Sequence, residues 1–301
     1  MKAKNSIKSL LKAVSVLKSF TPDELELGTA EISRKLGIPK TTAHRMLTSL
    51  SEGGLLEQNG KTGKFRIGLS LYTLGSLYLK TTDICIAAKP VIETVNDLTK
   101  ETVNISILDR NNITLIMKEE SKHAFRLATH IGSIIHAYAS AMGKALLSEL
   151  TEAEIDSLYP EEKLPPLTNK TISTKTELKR ELEQIRKTGI AFDREGSYEG
   201  VTAIGSVTRN ANGKAAAAMS IAVPVFRMNE ANRKRLTTLV RLGVSLISYR
   251  LGYQDTQYPV RDIKEIYSWW KQNKLDSASQ ANDLSGTELN STNVAGNADQ
   301  V

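Results

Sequence analysis

The chain is 301 residues long, 40% hydrophobic and 24% charged, with a formal net charge of +7. That length has room for two domains, and that composition builds a folded core and not a disordered chain. One cysteine, Cys85, excludes an internal disulfide and a cysteine-rich zinc site, and the four histidines (44, 123, 130, 136) are scattered without metal-ligand spacing, so neither a metal nor a cofactor is expected.

The charge is unevenly placed. Thirteen of the cations and six of the acids lie in residues 1–82, so that segment carries +7 and the remainder is neutral. Such confinement is the electrostatic footprint of a polyanion-binding module. A membrane-surface role would need one amphipathic helix with a cationic face and large apolar anchors, whereas these cations are spread over several elements. No apolar run reaches the roughly 20 residues of a membrane span, and no signal-peptide core follows Met1, so a cytoplasmic protein is expected.

Ile7, Leu10, Leu11, Val14, Leu17 and Phe20 predict an amphipathic first helix that closes a small core. Residues 29–50 then read as two short helices hinged at Gly37-Ile38-Pro39. Ala30, Ile32 and Leu36 face inward in the first. Ala43, Met46, Leu47 and Leu50 form an i, i+3, i+4, i+7 stripe in the second. Its opposite face carries Lys40, Thr41, Thr42, His44, Arg45, Thr48 and Ser49, groups suited to phosphates and base edges. A helix offered this way after a tight turn is the reader of a helix-turn-helix; an ordinary αα-hairpin with a solvated face is the alternative. Leu55–Gln58 and Lys64–Ile67 predict two strands around the turn Asn59-Gly60-Lys61-Thr62-Gly63. This hairpin is a wing whose Lys61 and Lys64 reach a flanking phosphate or the minor groove.

Leu69–Leu79 predicts a linker helix with Leu71, Leu74, Leu77 and Tyr78 on one face, a stripe that suits dimerisation. A second helix from Asp83 carries Ile86, Val91, Ile92, Val95 and Leu98. Strands and helices then alternate. Val103–Leu108 and Ile113–Met117 form a hairpin about Asp109–Asn112, and Phe125–Leu127 is a further strand. Ser140 caps a helix running to Leu150, and Thr174–Thr188 is a helix stopped by Gly189. Ile190–Phe192, Thr202–Val207 and Ala215–Val223 read as strands, with a turn at Asn210–Gly213. Asn229–Gly252 is a long helix, and Tyr258–Lys274 a short one that docks Trp269 and Trp270. From Asp276 onward almost no large apolar group remains, which predicts a disordered tail.

If Ser140 caps its helix, the backbone N–H groups of Ala141, Met142 and Gly143 make an anion site that fits a carboxylate. An enzyme is not expected: His136 and Ser140 lack a nucleophile elbow, and neither a P-loop nor a dinucleotide fingerprint occurs. A non-specific architectural DNA protein would have no use for a neutral α/β domain of about 170 residues, the size of a complete ligand-binding module.

Over about residues 6–253 the chain resembles the IclR-type bacterial transcriptional regulators. Thr29–Ile32 with Leu36–Leu47 is similar to the family's DNA-reading motif, and Tyr72 with Leu74-Gly75 to its linker. His136–Leu147 looks like its His-x-x-Ala-x-Gly-Lys-Ala helix entry. Asp193–Glu195, Glu199–Val201, Ala218–Ile221 and Pro224 are similar to its effector-pocket loops. The resemblance implies an α+β protein: an N-terminal winged helix-turn-helix (1–68), a linker helix (69–82) and a C-terminal GAF-like α/β effector-binding domain (83–253). A short helical extension (254–275) and the tail (276–301) follow. It also implies a homodimer or homotetramer on palindromic double-stranded DNA, with repression the commoner output and activation the alternative. Asp193 and Ser220 would line the effector pocket. Ala203 and Ala222 stand where many members carry a cysteine and a serine, which points away from a small keto-acid toward a sugar acid or an aromatic acid. Leu98–Thr102 and Leu251–Asp255 lean toward the branch that resembles the 2-keto-3-deoxygluconate regulators.

Overall fold

Helices and one short hairpin build the first of two units, Met1–Thr82, and a six-stranded sheet between helices builds the second, Asp83–Val301. The computed structural model describes residues 7–21, 23–81, 83–124, 129–254 and 257–273. The strand expected at Phe125–Leu127 and the tail from Asp276 lie outside the described residues, as does the side chain of Tyr78. No helix among the described residues is long and apolar enough to cross a membrane.

In the first unit α1 (Lys8–Leu17), α2 (Thr29–Leu36) and α3 (Lys40–Glu52) precede the hairpin β1 (Leu56–Gln58)–β2 (Phe65–Ile67) and α4 (Leu69–Thr81). Gly37 ends α2 at φ +61°, in the left-handed region that favours glycine. Ser33 Oγ donates to the Ile38 carbonyl at 2.6 Å and fixes the turn. Pro39, at φ −55°, then starts α3 where its missing N–H costs nothing. Val16, Leu27, Ile32, Ala43, Leu47, Leu50, Leu56 and Phe65 form the core. The hairpin pairs Leu56 with Ile67, and Leu27 bridges Phe65 as a third, one-residue strand.

Two expectations about inward faces need correction. The first helix packs through Ala13, Val16 and Leu17, followed by Phe20, while Ile7, Leu10, Leu11 and Val14 are exposed, Leu10 by 62%. Residues 13, 16, 17 and 20 repeat the i, i+3, i+4, i+7 spacing of residues 7, 10, 11 and 14 on another face, so periodicity alone picks the wrong stripe. Ala30 is exposed, because α2 turns Ile32 into the core and leaves its first turn outside. Ile86 is exposed as well, since α5 buries the faces bearing Ala88, Val91, Ile92 and Val95. On α4, Leu69, Tyr72, Leu74 and Leu77 are exposed.

The second unit opens with α5 (Asp83–Thr99). Its sheet has the order β5-β4-β3-β8-β7-β6, every neighbour antiparallel. The strands are β3 (Thr102–Asp109), β4 (Asn112–Glu119), β5 (Ile134–His136), β6 (Ala191–Arg194), β7 (Val201–Arg209) and β8 (Ala215–Pro224). One face packs on α5 and α9 (Glu230–Arg250), the other on α6 (Ala141–Leu147), α7 (Glu152–Leu158) and α8 (Lys175–Thr188). A helix over 263–273, α10, sets Trp269 and Trp270 against the α5/α9 layer, with the Arg235 guanidinium 4.0 Å from the Trp270 ring centre. The helix expected to reach Leu150 stops at Leu147. Strand β5 and helix α7 have no counterpart in the sequence reading. The α+β architecture holds.

Candidate functional site

The outward face of α3 is a bare cationic surface. Lys40, Thr41, His44 and Arg45 are exposed, and Thr42 and Thr48 are half-buried. Pro39 supplies no side-chain cap, so the first-turn N–H groups of this 13-residue helix remain open and carry the positive end of its dipole. Charge bookkeeping separates the cations around it. Lys35 pairs with Glu24, Arg66 with Glu57 at 3.0 Å, and Lys64 with Glu31 at 2.7 Å. Lys40, Arg45 and Lys61 have no ion partner among the described residues. Lys64, also expected to reach DNA, is held against Glu31 with its side chain 41% exposed. Glu31 receives the Lys64 ammonium and the Gly28 N–H together, and both hold its carboxyl below the usual range, Lys64 most.

In the second unit the sequence-derived residues converge on one small cavity. It lies between the sheet and the start of α6, has a volume of about 40 Å³, and is lined by Ala141, Met142, Asp193, Ala203, Ser220 and Ala222. Ser140 caps α6 as expected, but its Oγ accepts the Gly143 N–H at 3.0 Å. The Gly143 amide is thus taken by the cap and does not line the cavity. Gly143 matters sterically: a Cβ there would lie 2.2 Å from the Ala137 carbonyl oxygen, so only glycine lets the two backbones touch.

Asp193 is 4% exposed. Its Oδ1 accepts the Gly196 N–H at 2.6 Å and the Ser197 N–H at 3.4 Å, and the Ser197 hydroxyl donates to Oδ2. Burial pushes its carboxyl up, against the pull of the Ser197 hydroxyl, the Lys144 charge and the loop amides. Asp193 therefore builds the β6–β7 loop as well as facing the cavity. Ser140 and Val201 complete the part of the lining that the sequence pointed to; Asn104, Leu115, Thr129, Ile135, Ser197 and Tyr198 were not singled out from it. Asn104 Oδ1 and Thr129 Oγ1 are buried without a hydrogen-bond partner among the described residues. Among the described residues the lining contains no Lys, Arg or His side chain.

Residues 9–60 match the IclR helix-turn-helix domain, and residues 76–249 match the bacterial transcriptional regulator IclR C-terminal domain. The chain belongs to the IclR family of bacterial transcriptional regulators. It is 29% identical over 258 residues to the HTH-type transcriptional regulator KdgR of Escherichia coli K12, covering 86% of this chain and 97% of that one. It is 30% identical over 250 residues to the HTH-type transcriptional repressor AllR of the same strain, covering 83% and 92%. Among solved structures, an IclR homolog complexed with 4-hydroxybenzoate from Microbacterium hydrocarbonoxydans superimposes with a TM-score of 0.71 at 23% identity, covering 81% of this chain and 98% of that one. The chain is thus a transcriptional regulator with a DNA-binding unit, and its relatives are regulators and not enzymes.

Proposed function

We propose that this IclR-family regulator is a cytoplasmic repressor of a catabolic operon, released by a small carboxylate of the sugar-acid or aromatic-acid class. The observation that carries the reading is the convergence of Ala141, Met142, Asp193, Ala203, Ser220 and Ala222 on one cavity, in a unit separate from the one bearing the helix-turn-helix. Lys40, Thr41, Thr42, His44, Arg45 and Thr48 would meet the major groove, and Lys61 a phosphate beside it. Relatives named as repressors support the sign of the output, and a neighbour holding 4-hydroxybenzoate supports the ligand class. The exposed Ile7, Leu10, Leu11 and Val14 of the α1 segment and Leu69, Tyr72, Leu74 and Leu77 of α4 support a homodimer or homotetramer on a palindromic operator.

The test is operator binding by the full chain with and without candidate acids, run beside Ser220→Val. A coupled site changes operator affinity by about 1–3 kcal/mol on ligand binding. Ser220→Val should abolish that response. Release of operator transcription on deleting the gene marks a repressor, and loss of transcription marks an activator. A panel of sugar acids and aromatic acids that leaves operator affinity unmoved would remove the reading.

A further inference from the structure

Asn104 and Thr129 bear on which ligand the cavity takes, an inference that rests on the effector reading above. Asn104 lies mid-strand on β3, directly opposite Ser220 on β8, and is 6% exposed. Side chains opposite each other in an antiparallel pair share one face at about 5 Å, so the amide and the Ser220 hydroxyl form one polar floor. Thr129 reaches the same cavity from the segment before β5, where Lys118 Nζ donates to its carbonyl. Yet Asn104 Oδ1 and Thr129 Oγ1 have no hydrogen-bond partner among the described residues, although both atoms are buried. An unpaired buried polar atom lowers stability, and this layer beside Asn104 carries the apolar Ala203, Ala218 and Ala222 together with the buried Ser106 and Ser220. An amide oxygen buried here without a partner is open to a donor brought by a ligand.

The chemistry of that opening is directional. Oδ1 only accepts, so in this orientation of the amide a carboxylate oxygen cannot pair with it and can only accept from Nδ2. A hydroxyl donates to Oδ1 and accepts from Thr129 or Ser220 in the same step. We propose that the effector is a hydroxylated carboxylate whose hydroxyl donates to Asn104, and that Asn104 with Thr129 selects it over the deoxygenated acid on the same carbon skeleton. A site built to bond a ligand hydroxyl rejects the analogue lacking it far more strongly than an apolar site rejects an added hydroxyl.

Matched pairs test this on the full chain: glycerate against propionate, gluconate against hexanoate, 4-hydroxybenzoate against benzoate. Each is read by thermal unfolding and by operator affinity in the parent, in Asn104→Leu and in Ala222→Phe, which fills the cavity. At least one hydroxylated member should bind tenfold or more tightly than its partner, and Asn104→Leu should erase that preference. Without any ligand, Asn104→Leu should raise Tm by about 2–4 °C, because an apolar isostere replaces an unpaired amide. The proposal is overturned if no pair shows a hydroxyl preference, if the preference survives Asn104→Leu, or if that variant lowers the ligand-free Tm. Responses lost in Ala222→Phe but with their hydroxyl preference intact in Asn104→Leu would sink this proposal and spare the effector reading. Responses intact in both variants would sink both.

Discussion

Lys61 and Lys64 stand three residues apart on the wing, and the structure gives them different work. The Lys64 ammonium is 2.7 Å from Glu31, whereas Lys61 has no ion partner among the described residues. Lys61→Ala should therefore remove one phosphate contact per protomer. Each contact contributes about −0.9 to the slope of log K against log salt on duplex DNA, so a dimer on two half-sites loses about 1.8. Between 50 and 200 mM salt the parent's advantage over the variant should then shrink about tenfold. The loss should be equal on operator and scrambled duplex, because phosphates carry no sequence. Lys64→Ala should leave the slope alone and destabilise the first unit instead. That ion pair is partly exposed on both sides, with side-chain exposures of 41% and 31%, so its loss costs at most about 1 kcal/mol. Fluorescence anisotropy across a salt titration reads both variants. If Lys64→Ala flattens the slope as much as Lys61→Ala does, the division of labour is wrong.

Arg45→Ala should cost about 1–3 kcal/mol at the operator and relax base preference there, since an unpaired guanidinium on the exposed face of α3 is placed to grip guanine; undiminished binding in a gel shift at physiological salt would rule out this role. Gly143→Ala should destabilise the second unit by the cost of overpacking, about 1–3 kcal/mol or more, and so lower its Tm, because the new Cβ meets backbone that has no room to yield. An unchanged melting curve would contradict the close approach at Ala137. Replacing Leu10 and Leu11 together by Glu removes no core residue, so it should shift the oligomer toward smaller species in light scattering while the fold survives. An unchanged mass at micromolar concentration would eliminate α1 as an interface.

What was legible in the sequence followed from local rules. The Gly37 turn, the α8 helix between its Thr174 cap and Gly189, and the β3–β4 hairpin each announce themselves by residues with one strong conformational use. Helix α7 had a signal that went unread: Thr151 and Glu154 form a reciprocal capping box. Strand β5, three residues long at the sheet edge, leaves too few positions for alternation to register. On α1 two apolar stripes compete, and only packing decides between them. The cavity was half legible. Ser220 and Asp193 came from family resemblance, but Asn104 sits between Val103 and Ile105 in a strand covered on both faces, where an inward polar residue looks like an outward one. Thr129 enters from a connecting segment whose path no periodicity describes.

The cavity also poses a charge problem for the anionic effector proposed for it. Among the described residues its lining has one carboxylate and no basic side chain, and Lys144 is paired with Glu181 at 2.6 Å. Burial, the largest influence, holds the Asp193 carboxyl above its ordinary value of 3.8. The native state then binds this proton more tightly than the unfolded chain does. That contribution to stability is complete below pH 3.8 and is lost as pH rises through the raised value. An anionic effector in the same cavity favours the neutral carboxyl further, because two carboxylates sharing a site raise each other's pKa. Binding should take up a proton, and affinity should rise as pH falls through the range where Asp193 titrates. Calorimetry in two buffers of different ionisation enthalpy counts that proton directly. Asp193→Asn, neutral at every pH, should bind without the uptake and with a flat pH profile. It gives up one acceptor to the Ser197 hydroxyl and so pays in loop stability, which thermal unfolding registers separately. A parent protein whose affinity is flat with pH and whose heat is independent of buffer would mean that Asp193 stays ionised beside the ligand, or that the ligand carries no charge.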